Sequence, residues 1–165
     1  MDKYYYLVAE LPTLFFGKET TISIDNFLEE ANNWMDARDY QVLSQIDMND
    51  FDPQKKINKV YDNFRLFENN IRTDIALWRE AQKRDQEYKP SNFPVSMIKE
   101  GSPLEIEIRF MEMQWQFIDE MEREHHFDLG FLILYYLKLQ ILQRYFTFNK
   151  EQGLKKFQKL CEVNT

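Results

Sequence analysis

Apolar residues occupy every side of one stretch of the chain, residues 127–148, which reads FDLGFLILYYLKLQILQRYFTF. A helix with apolar side chains all round has to be enclosed by lipid or by other helices. The uninterrupted apolar run ends at Lys138, well short of the ~20 residues that a membrane span needs. Asp128 offers an N-cap oxygen for a helix that begins there. The pattern therefore predicts a central helix over residues 129–148, enclosed by neighbouring helices and amphipathic towards its C-terminal end.

Helical spacing also appears before residue 50. Ser23 is a candidate N-cap, and Asp36 or Asp39 is a candidate cap for a shorter continuation that ends near Ile46. The first of these helices has apolar residues at helical intervals, namely Ile24, Phe27, Leu28, Ala31, Trp34 and Met35. The run Tyr4–Val8 fits either a strand or a buried helix, and Pro12 disfavours helical geometry at the residue before it.

Two cap-plus-proline pairs predict the starts of two longer helices, Asp52–Pro53 and Ser102–Pro103. The first pair precedes a stripe of apolar residues that spans about six turns, within which the pair Asn69–Asn70 marks a candidate bend. That stripe consists of Ile57, Val60, Tyr61, Phe64, Phe67, Ile71, Ile75 and Trp78. The second pair precedes a helix whose inner face runs from Leu104 to Met121.

Residues 88–102 contain two prolines and a glycine among apolar residues, which predicts a loop packed on the body. A short final helix is predicted from Asn149, with apolar residues at Leu154, Phe157 and Leu160. The complete pattern predicts an all-α fold in which residues 1–165 form a single domain of about six helices, packed around the central apolar helix 129–148.

The composition agrees with this fold class. The chain has 165 residues, of which 44% are hydrophobic and 16% aromatic. A chain of this length buries roughly 70% of its unfolded surface when it folds, enough for one substantial core. The four glycines and five prolines are too few for a sandwich or barrel rich in tight turns. The one cysteine excludes an internal disulfide and a cysteine-based zinc site.

Charge is distributed unevenly along the chain. The formal net charge is −7, and residues 1–50 contain ten acidic and three basic residues, whereas residues 138–165 contain six basic and two acidic residues. The acidic charge argues against nucleic acid as a partner, because neutralisation of phosphates dominates that kind of binding. We expect the charged ends to orient the protein on a protein partner. The N-terminus has no secretory leader pattern, so a cytoplasmic location is expected.

The sequence contains few patterns that are typical of a catalytic site. Four scattered glycines cannot form a phosphate-binding loop. The fragment Glu122–His125 has the Glu-x-x-His spacing that di-iron carboxylate bundles use twice. Because the chain has only two histidines, His125 and His126, one chain cannot supply the second copy. The alternatives are a metal site and a solvated helix end, and the second is preferred. Glu105 and Glu107 point in different directions on a helix and are interpreted as surface charge.

Three other features have both a functional and a structural interpretation. Cys161 is a candidate reactive thiol or a packed helix end, and the tyrosines at 4–6 are a candidate stacking platform or a core edge. A basic group near the C-terminus is a candidate partner interface, for an acidic protein or for anionic lipid, or a solvated face. It consists of Lys150, Lys155, Lys156 and Lys159. The structural interpretation is preferred for each of these features, so no catalytic, cofactor-binding or metal-binding residue is predicted.

Residues of the central helix resemble a known family. Phe127-Asp-Leu-Gly130, followed by Tyr135, Lys138 and Arg144, resembles the signature helix of the C (or d) subunit of archaeal-type and vacuolar-type rotary ATPases. Tyr4-Tyr-Tyr-Leu-Val-Ala9 is similar to that family's N-terminal opening. The residues from Asp25 to Leu43, including Asp39-Tyr40, are similar to its short helix. Leu139 and Gln140 depart from it, since they stand where the family has acidic residues, and the chain has about half the family's length.

The chain also resembles a small uncharacterised bacterial family whose members are associated with vacuolar-type ATPase operons. The resemblance implies a non-enzymatic stand-in for the C subunit, without a cofactor, that connects the rotor's central stalk to the membrane ring. Its implied partners are therefore central-stalk and ring subunits. Its implied location is cytoplasmic and peripheral to the inner membrane, with membrane contact only through the complex. The alternatives are a helical protein-interaction module unrelated to that machine and, third, a metal-dependent helical enzyme that uses Glu122 and His125.

Overall fold

The structure is a computed structural model that describes the backbone of residues 3–50, 52 and 54–163, and the side chains of these residues as far as Glu151. The described residues form seven α-helices and no strand, which confirms the all-α fold class. The helices are α1 (Tyr5–Glu10), α2 (Ile24–Trp34), α3 (Ala37–Ser44), α4 (Lys59–Lys83), α5 (Ser96–Lys99), α6 (Pro103–Glu122) and α7 (Leu129–Val163).

The core is built around the first half of α7. Leu132, Ile133, Leu134, Leu137 and Ile141 have no exposed surface, so this part of the helix is enclosed on all sides. Helix α6 packs on it most extensively, and α2, α3 and α4 cover the rest. No helix among the described residues combines the length and apolar character of a bilayer span.

Helix α7 continues to Val163 without a break, so the prediction of a separate helix from Asn149 was wrong. No proline lies between Leu129 and Val163, so no backbone donor is missing from the hydrogen-bond ladder. Gly153 lowers helix propensity by only about 1 kcal/mol relative to alanine. A helix of 35 residues is about 52 Å long at 1.5 Å per residue.

Helix α4 begins six residues later than Asp52–Pro53 predicted, with Asn58 as its N-cap. The side chain of Asn58 accepts a hydrogen bond from the Val60 N–H. The preceding segment lies along the helix because the buried guanidinium of Arg65 donates hydrogen bonds to the carbonyls of Asp52 and Lys55. Pro53 itself lies outside the described residues. The helix is continuous through Asn69 and Asn70, so this pair does not split α4 into two helices.

The remaining local predictions are resolved by the backbone. Tyr5–Glu10 is helical, so the ambiguous N-terminal run is a helix, and Leu11, before Pro12, leaves helical geometry with ψ 133°. Ser23, Asp36 and Ser102 each accept the predicted capping hydrogen bond. The 88–102 segment packs on the body as predicted, through the buried Phe93, and contains the single turn of α5.

Candidate functional site

The start of α7 is organised by Asp128. Its Oδ1 accepts a hydrogen bond from the Phe131 N–H at 2.9 Å, and its Oδ2 lies 2.8 Å from His125 Nδ1. Burial raises the pKa of Asp128, but the hydrogen bonds from His125 and Phe131 outweigh burial and hold that pKa below its ordinary value. The carboxylate is therefore the acceptor, and His125 Nδ1–H donates.

Gly130 makes this arrangement possible. A Cβ atom at position 130 would lie 2.5 Å from Nδ1 of His125 and 2.8 Å from its Cε1, closer than real Cβ contacts. The His125 ring thus packs directly on the helix backbone, which requires glycine. The segment from Phe127 to Gly130, which carries part of the resemblance described above, therefore provides the N-cap of α7 and the glycine on which the His125 ring packs.

A buried lysine joins α7 to α6. Lys138 is only 6% exposed, and its Nζ lies 2.6 Å from Asp119 Oδ1 and 3.0 Å from Glu122 Oε2. Asp119 and Glu122 lie three residues apart on α6 and so share a face. The ammonium also lies 4.9 Å from the centre of the Trp115 ring. Burial raises the pKa of Glu122, and attraction to Lys138 opposes this rise.

Two further polar side chains of α7 hold segments distant in sequence. The Tyr135 hydroxyl donates a hydrogen bond of 2.6 Å to the carbonyl of Pro12, and burial raises the pKa of Tyr135. The carboxamide of Gln140 accepts from the Met48 N–H and donates to the Ile46 carbonyl. These bonds fix the segment after α1 and the segment after α3 on the central helix.

Arg144 lies between two surface clefts and lines both. Its Nη1 donates to Asn49 Oδ1 at 3.2 Å, its Nη2 lies 3.4 Å from Glu107 Oε2, and its guanidinium stands 5.3 Å from the Phe148 ring centre. Arg144 therefore connects α7 to α6 and to the segment after α3. Together with Tyr135 and Lys138, it forms the set of α7 residues that carries the resemblance, and each of the three contacts another part of this chain.

The larger cleft lies between the segment after α3 and α7, and its volume is about 680 Å³. Its lining mixes polar and apolar side chains in similar proportion; the polar ones include Ser44, Asp47, Asn49, Gln140 and Gln143. It is an open surface cleft beside α7.

The second cleft, of about 340 Å³, lies between α4 and α6. Its walls include Ile71 and Ile75 from α4 and Phe110 and Met111 from α6. Glu68 lies at one end of it and is 6% exposed. The Nε2 of Gln114 donates a hydrogen bond to Glu68 Oε1.

The residues singled out from the sequence are not assembled into one site. Glu122 contacts Lys138, whereas His125 contacts Asp128, so the two side chains have different partners. Among the residues that the structure describes, no group of three or more His, Cys, Asp or Glu is placed to hold a metal ion. Glu105 and Glu107 are exposed and lie near different arginines, Arg109 and Arg144 respectively.

Only part of the predicted basic interface can be located. Lys150 is exposed on α7. Lys155, Lys156, Lys159 and Cys161 belong to the same helix, but their side chains lie outside the described residues. Of the N-terminal tyrosines, Tyr4 is buried, whereas Tyr5 and Tyr6 are 52% and 73% exposed.

Sequence reasoning missed the buried charges of α4, which are Arg65, Glu68 and Asp74. A signal for two of them exists in the apolar stripe. Glu68 follows Phe64 by four residues and Asp74 follows Ile71 by three, so both occupy stripe positions. A charged residue on a buried face needs a partner, and such a position marks a polar contact with another segment.

One comparison with known proteins returned a match. Residues 93–164 match the family described as "Protein of unknown function (DUF2764)". The matched residues begin at the buried Phe93 and cover α5, α6 and α7, so they contain Lys138 and both of its carboxylate partners. No curated protein and no solved structure matches the chain. The similarity therefore concerns the C-terminal helices and assigns them no activity.

Proposed function

We propose that this protein is a non-catalytic subunit of a vacuolar-type or archaeal-type rotary ATPase, similar in role to the C (d) subunit, which connects the central stalk to the membrane ring. The observation that supports this proposal best is α7, a continuous helix of 35 residues whose first half is enclosed by the rest of the body. A part that transmits torque between two partners needs a stiff element of this kind.

Stiffness follows from how α7 is held. Close packing of apolar side chains resists deformation, as protein interiors have the density of organic crystals. Directional contacts to three different neighbours are added by Tyr135 to the segment after α1, by Lys138 to helix α6, by Gln140 to the segment after α3, and by Arg144 to both of the last two. Rotation or sliding of α7 would break these contacts together.

The two ends of α7 offer different chemistry to partners. Near its start, Tyr5 packs on Phe127, and Tyr5 and Tyr6 remain largely exposed. Beyond Phe148 the helix carries the exposed Lys150 and, in sequence, three further lysines. An aromatic end and a basic end suit an adaptor that binds two different proteins in one orientation.

The resemblance supplies the identity of the partners. Tyr135, Lys138 and Arg144 are the residues that correspond to the signature helix of the C subunit, and here they brace α7 against its neighbours. We infer that α7 resembles the signature helix of the C subunit because contacts of the same kind fix both helices against their neighbours. The cytoplasmic position of the protein, at the membrane only through the complex, forms part of the same proposal.

Isolation of the complex tests this function. The chain carries a tag at its N-terminus and is expressed in its native host, and the proteins that co-purify are identified by mass spectrometry. We expect stalk and ring subunits of the rotary ATPase in stoichiometric amounts. Their absence from a preparation that retains the intact ATPase would contradict the proposal. A stoichiometric partner of another kind would favour the alternative, an interaction module unrelated to the ATPase.

Charge reversal tests the predicted interface. Replacement of four lysines by glutamate should release the protein from the complex, since electrostatic contacts steer and orient association. The residues are Lys150, Lys155, Lys156 and Lys159. The matched control reverses four exposed lysines elsewhere, namely Lys56, Lys83, Lys89 and Lys99. If both variants remain bound equally well, the basic end of α7 is not the interface.

A further inference from the structure

The N-terminal region, residues 1–50, carries the whole net charge of this protein. Its formal charge is −7, and residues 51–165 add nothing to this value, because they contain 18 basic and 18 acidic residues. In the part of the chain that the structure describes, seven acidic residues of this region are exposed, namely Glu10, Glu19, Asp25, Glu29, Glu30, Asp36 and Asp47. The first three helices and the segments that join them therefore form a strongly negative surface.

The same region exposes most of the large apolar side chains on the surface. Among the described residues, six large hydrophobic side chains are exposed, and four of them belong to the N-terminal region. These four are all aromatic, namely Tyr5, Tyr6, Phe15 and Trp34, whereas the other two are Leu66 and Leu77. Aromatic residues are enriched in protein–protein interfaces and supply much of the binding energy there.

Helices α1 and α2 pack side by side and run in opposite directions. At one end of the pair, the hydroxyl of Tyr4, just before α1, donates a hydrogen bond to Asp39, beyond the end of α2. At the other end, Tyr135 contacts both the carbonyl of Pro12, just after α1, and the ring of Phe27, near the start of α2. The start of α1 therefore lies beside the end of α2.

This antiparallel packing brings three exposed aromatic residues to one end of the helix pair. Tyr5 and Tyr6 belong to the first turn of α1, and Trp34 is the last residue of α2. The exposed Glu10 follows Tyr6 by four residues and the exposed Glu30 precedes Trp34 by four, so each carboxylate lies one turn from an aromatic residue of its own helix. We call these five residues the N-terminal patch.

Cations already lie over aromatic rings in this region. The Nζ of Lys3 is 5.4 Å from the centre of the Tyr4 ring, and the Nζ of Lys18 is 5.5 Å from the centre of the Phe15 ring. The Lys3 ammonium also forms a salt bridge with Asp36. A ring that faces a cation and a carboxylate that pairs with it together recognise lysine or arginine.

We propose that the N-terminal patch binds a segment of a partner protein that is rich in lysine and arginine. The basic side chains of the partner lie over the rings of Tyr5, Tyr6 and Trp34, which their aliphatic stems cover, and their charges meet Glu10 and Glu30. Complementary charge orients the partner as it approaches. A second copy of this chain is a poorer occupant, because two molecules of charge −7 repel each other.

This inference rests on the proposed function in treating the aromatic end of the molecule as an interface, and it names the chemistry of the partner that binds there. Photo-crosslinking in the native host tests it on the full chain. The photoreactive residue p-benzoylphenylalanine replaces Tyr6 or Trp34, and mass spectrometry identifies the crosslinked segment. The matched control places the same residue at Leu66, which is exposed on α4.

We expect crosslinks from positions 6 and 34 to a segment with several lysines or arginines and a net positive charge. A neutral or acidic segment, another copy of this chain, or crosslinks no stronger than those from position 66 would overturn the inference. The proposed function is tested separately by the identity of the protein. A basic segment outside the rotary ATPase supports the inference and contradicts the function, whereas an acidic segment of a stalk or ring subunit does the reverse.

Substitutions test the aromatic part of the patch on the purified chain. The probe is a fluorescein-labelled amphipathic peptide of lysine and leucine, about 18 residues or five helical turns long. Fluorescence anisotropy at low ionic strength measures its binding. Combined replacement of Tyr5, Tyr6 and Trp34 by alanine should weaken binding by roughly tenfold or more. The control, Leu66→Ala with Leu77→Ala, should bind the peptide as the unaltered chain does.

A second pair of variants separates the patch from general attraction to an acidic protein. Glu10→Gln with Glu30→Gln should weaken binding several-fold. Glu87→Gln with Glu112→Gln removes the same charge from exposed positions elsewhere and should have a smaller effect. Equal effects of the two pairs would show that the peptide responds only to net charge, and the inference would be wrong. Circular dichroism establishes that each variant is folded; if the aromatic variant is not, the glutamate pairs and the crosslinks decide.

Discussion

Helices α7 and α4 are both long and both face the core, but their neighbours hold them in different ways. The buried positions of α7 are apolar on all sides, with Lys138 as the one buried charge among its described side chains. Helix α4 buries three charged residues, Arg65, Glu68 and Asp74, and each contacts a different segment. Helix α7 is therefore the centre of the apolar core, whereas α4 is a support for the loops that flank it.

The clearest example of this support is Asp74. Its two carboxylate oxygens accept four hydrogen bonds, from the Tyr88 hydroxyl, the Ser91 N–H, the Asn92 N–H and the Asn92 side-chain amide, at 2.7–2.9 Å. Arg65 acts in an equivalent way on the segment before α4, where it donates hydrogen bonds to the carbonyls of Asp52 and Lys55. Apolar burial stabilises the fold as a whole, while these polar contacts fix particular loops. The two helices should therefore respond differently to substitution and to pH.

The largest effect is expected in α7. Leu137→Ala removes a side chain with no exposed surface and leaves a cavity, so we expect the free energy of unfolding to fall by about 3–4 kcal/mol. Urea unfolding followed by circular dichroism measures this loss as a lower transition midpoint. Leu66→Ala on α4 is the control, because Leu66 is 59% exposed and its truncation should change stability by at most about 0.5 kcal/mol. Similar losses for both variants would contradict the enclosed position of α7.

A smaller and more local effect is expected at Asp74. Asp74→Ala leaves the donors of residues 88–92 without their acceptor, and we expect a loss of about 1–3 kcal/mol. Because the contact fixes one loop, hydrogen exchange should accelerate at the amides of Ser91 and Asn92 while the amide of Leu137 stays protected. Glu87→Ala, at an exposed carboxylate in the same loop, should leave these rates unchanged. Uniform acceleration through α7 would show that Asp74 supports the whole core.

The smallest effects concern pH, and the pKa values of the two buried carboxylates of α4, Glu68 and Asp74, are shifted in opposite directions. Burial raises the pKa of Asp74, but the hydrogen bonds from Tyr88, Asn92 and Ser91 outweigh it and hold that pKa below the ordinary value of 3.8. The contribution of Asp74 is therefore complete above pH 3.8 and is lost as the pH falls through its lower folded value. We expect the 88–92 amides to lose protection in this acidic range before the α7 amides do.

Glu68 should act in the other direction. Burial raises its pKa above the ordinary value of 4.5, so the folded state binds a proton at a higher pH than the unfolded state does. Stability should therefore rise as the pH falls from neutral towards 4.5. Glu68→Gln should remove this part of the pH dependence, as measured by urea unfolding across that range. An unchanged slope in the variant would show that Glu68 is not responsible.

Helix starts were the most predictable part of this fold. Ser23, Ser102 and Asp128 were predicted as caps, and Asp36 was one of two candidates with Asp39; all four residues accept the expected backbone hydrogen bond. A cap acts on an N–H group only three residues away, so the sequence contains the whole interaction. The pair Asp52–Pro53 failed as a helix start because Arg65, thirteen residues later, holds the Asp52 carbonyl.

The candidate sites depend on contacts that no local pattern contains. Arg144 reaches Asn49 across 95 positions of sequence, and Gln114 reaches Glu68 across 46. The stripe position of Glu68 predicts that its carboxylate is buried, but only the packing of α6 on α4 determines which group meets it. The same packing forms the cleft between the two helices.

The helical class of the protein and its enclosed apolar centre follow from the order of residues along the chain, because periodicity and capping are properties of neighbouring residues. Tertiary structure alone decided where α4 begins and which residues the buried charges contact. It also decided which surfaces form clefts, since a buried charge is stable only where folding brings a complementary group to it.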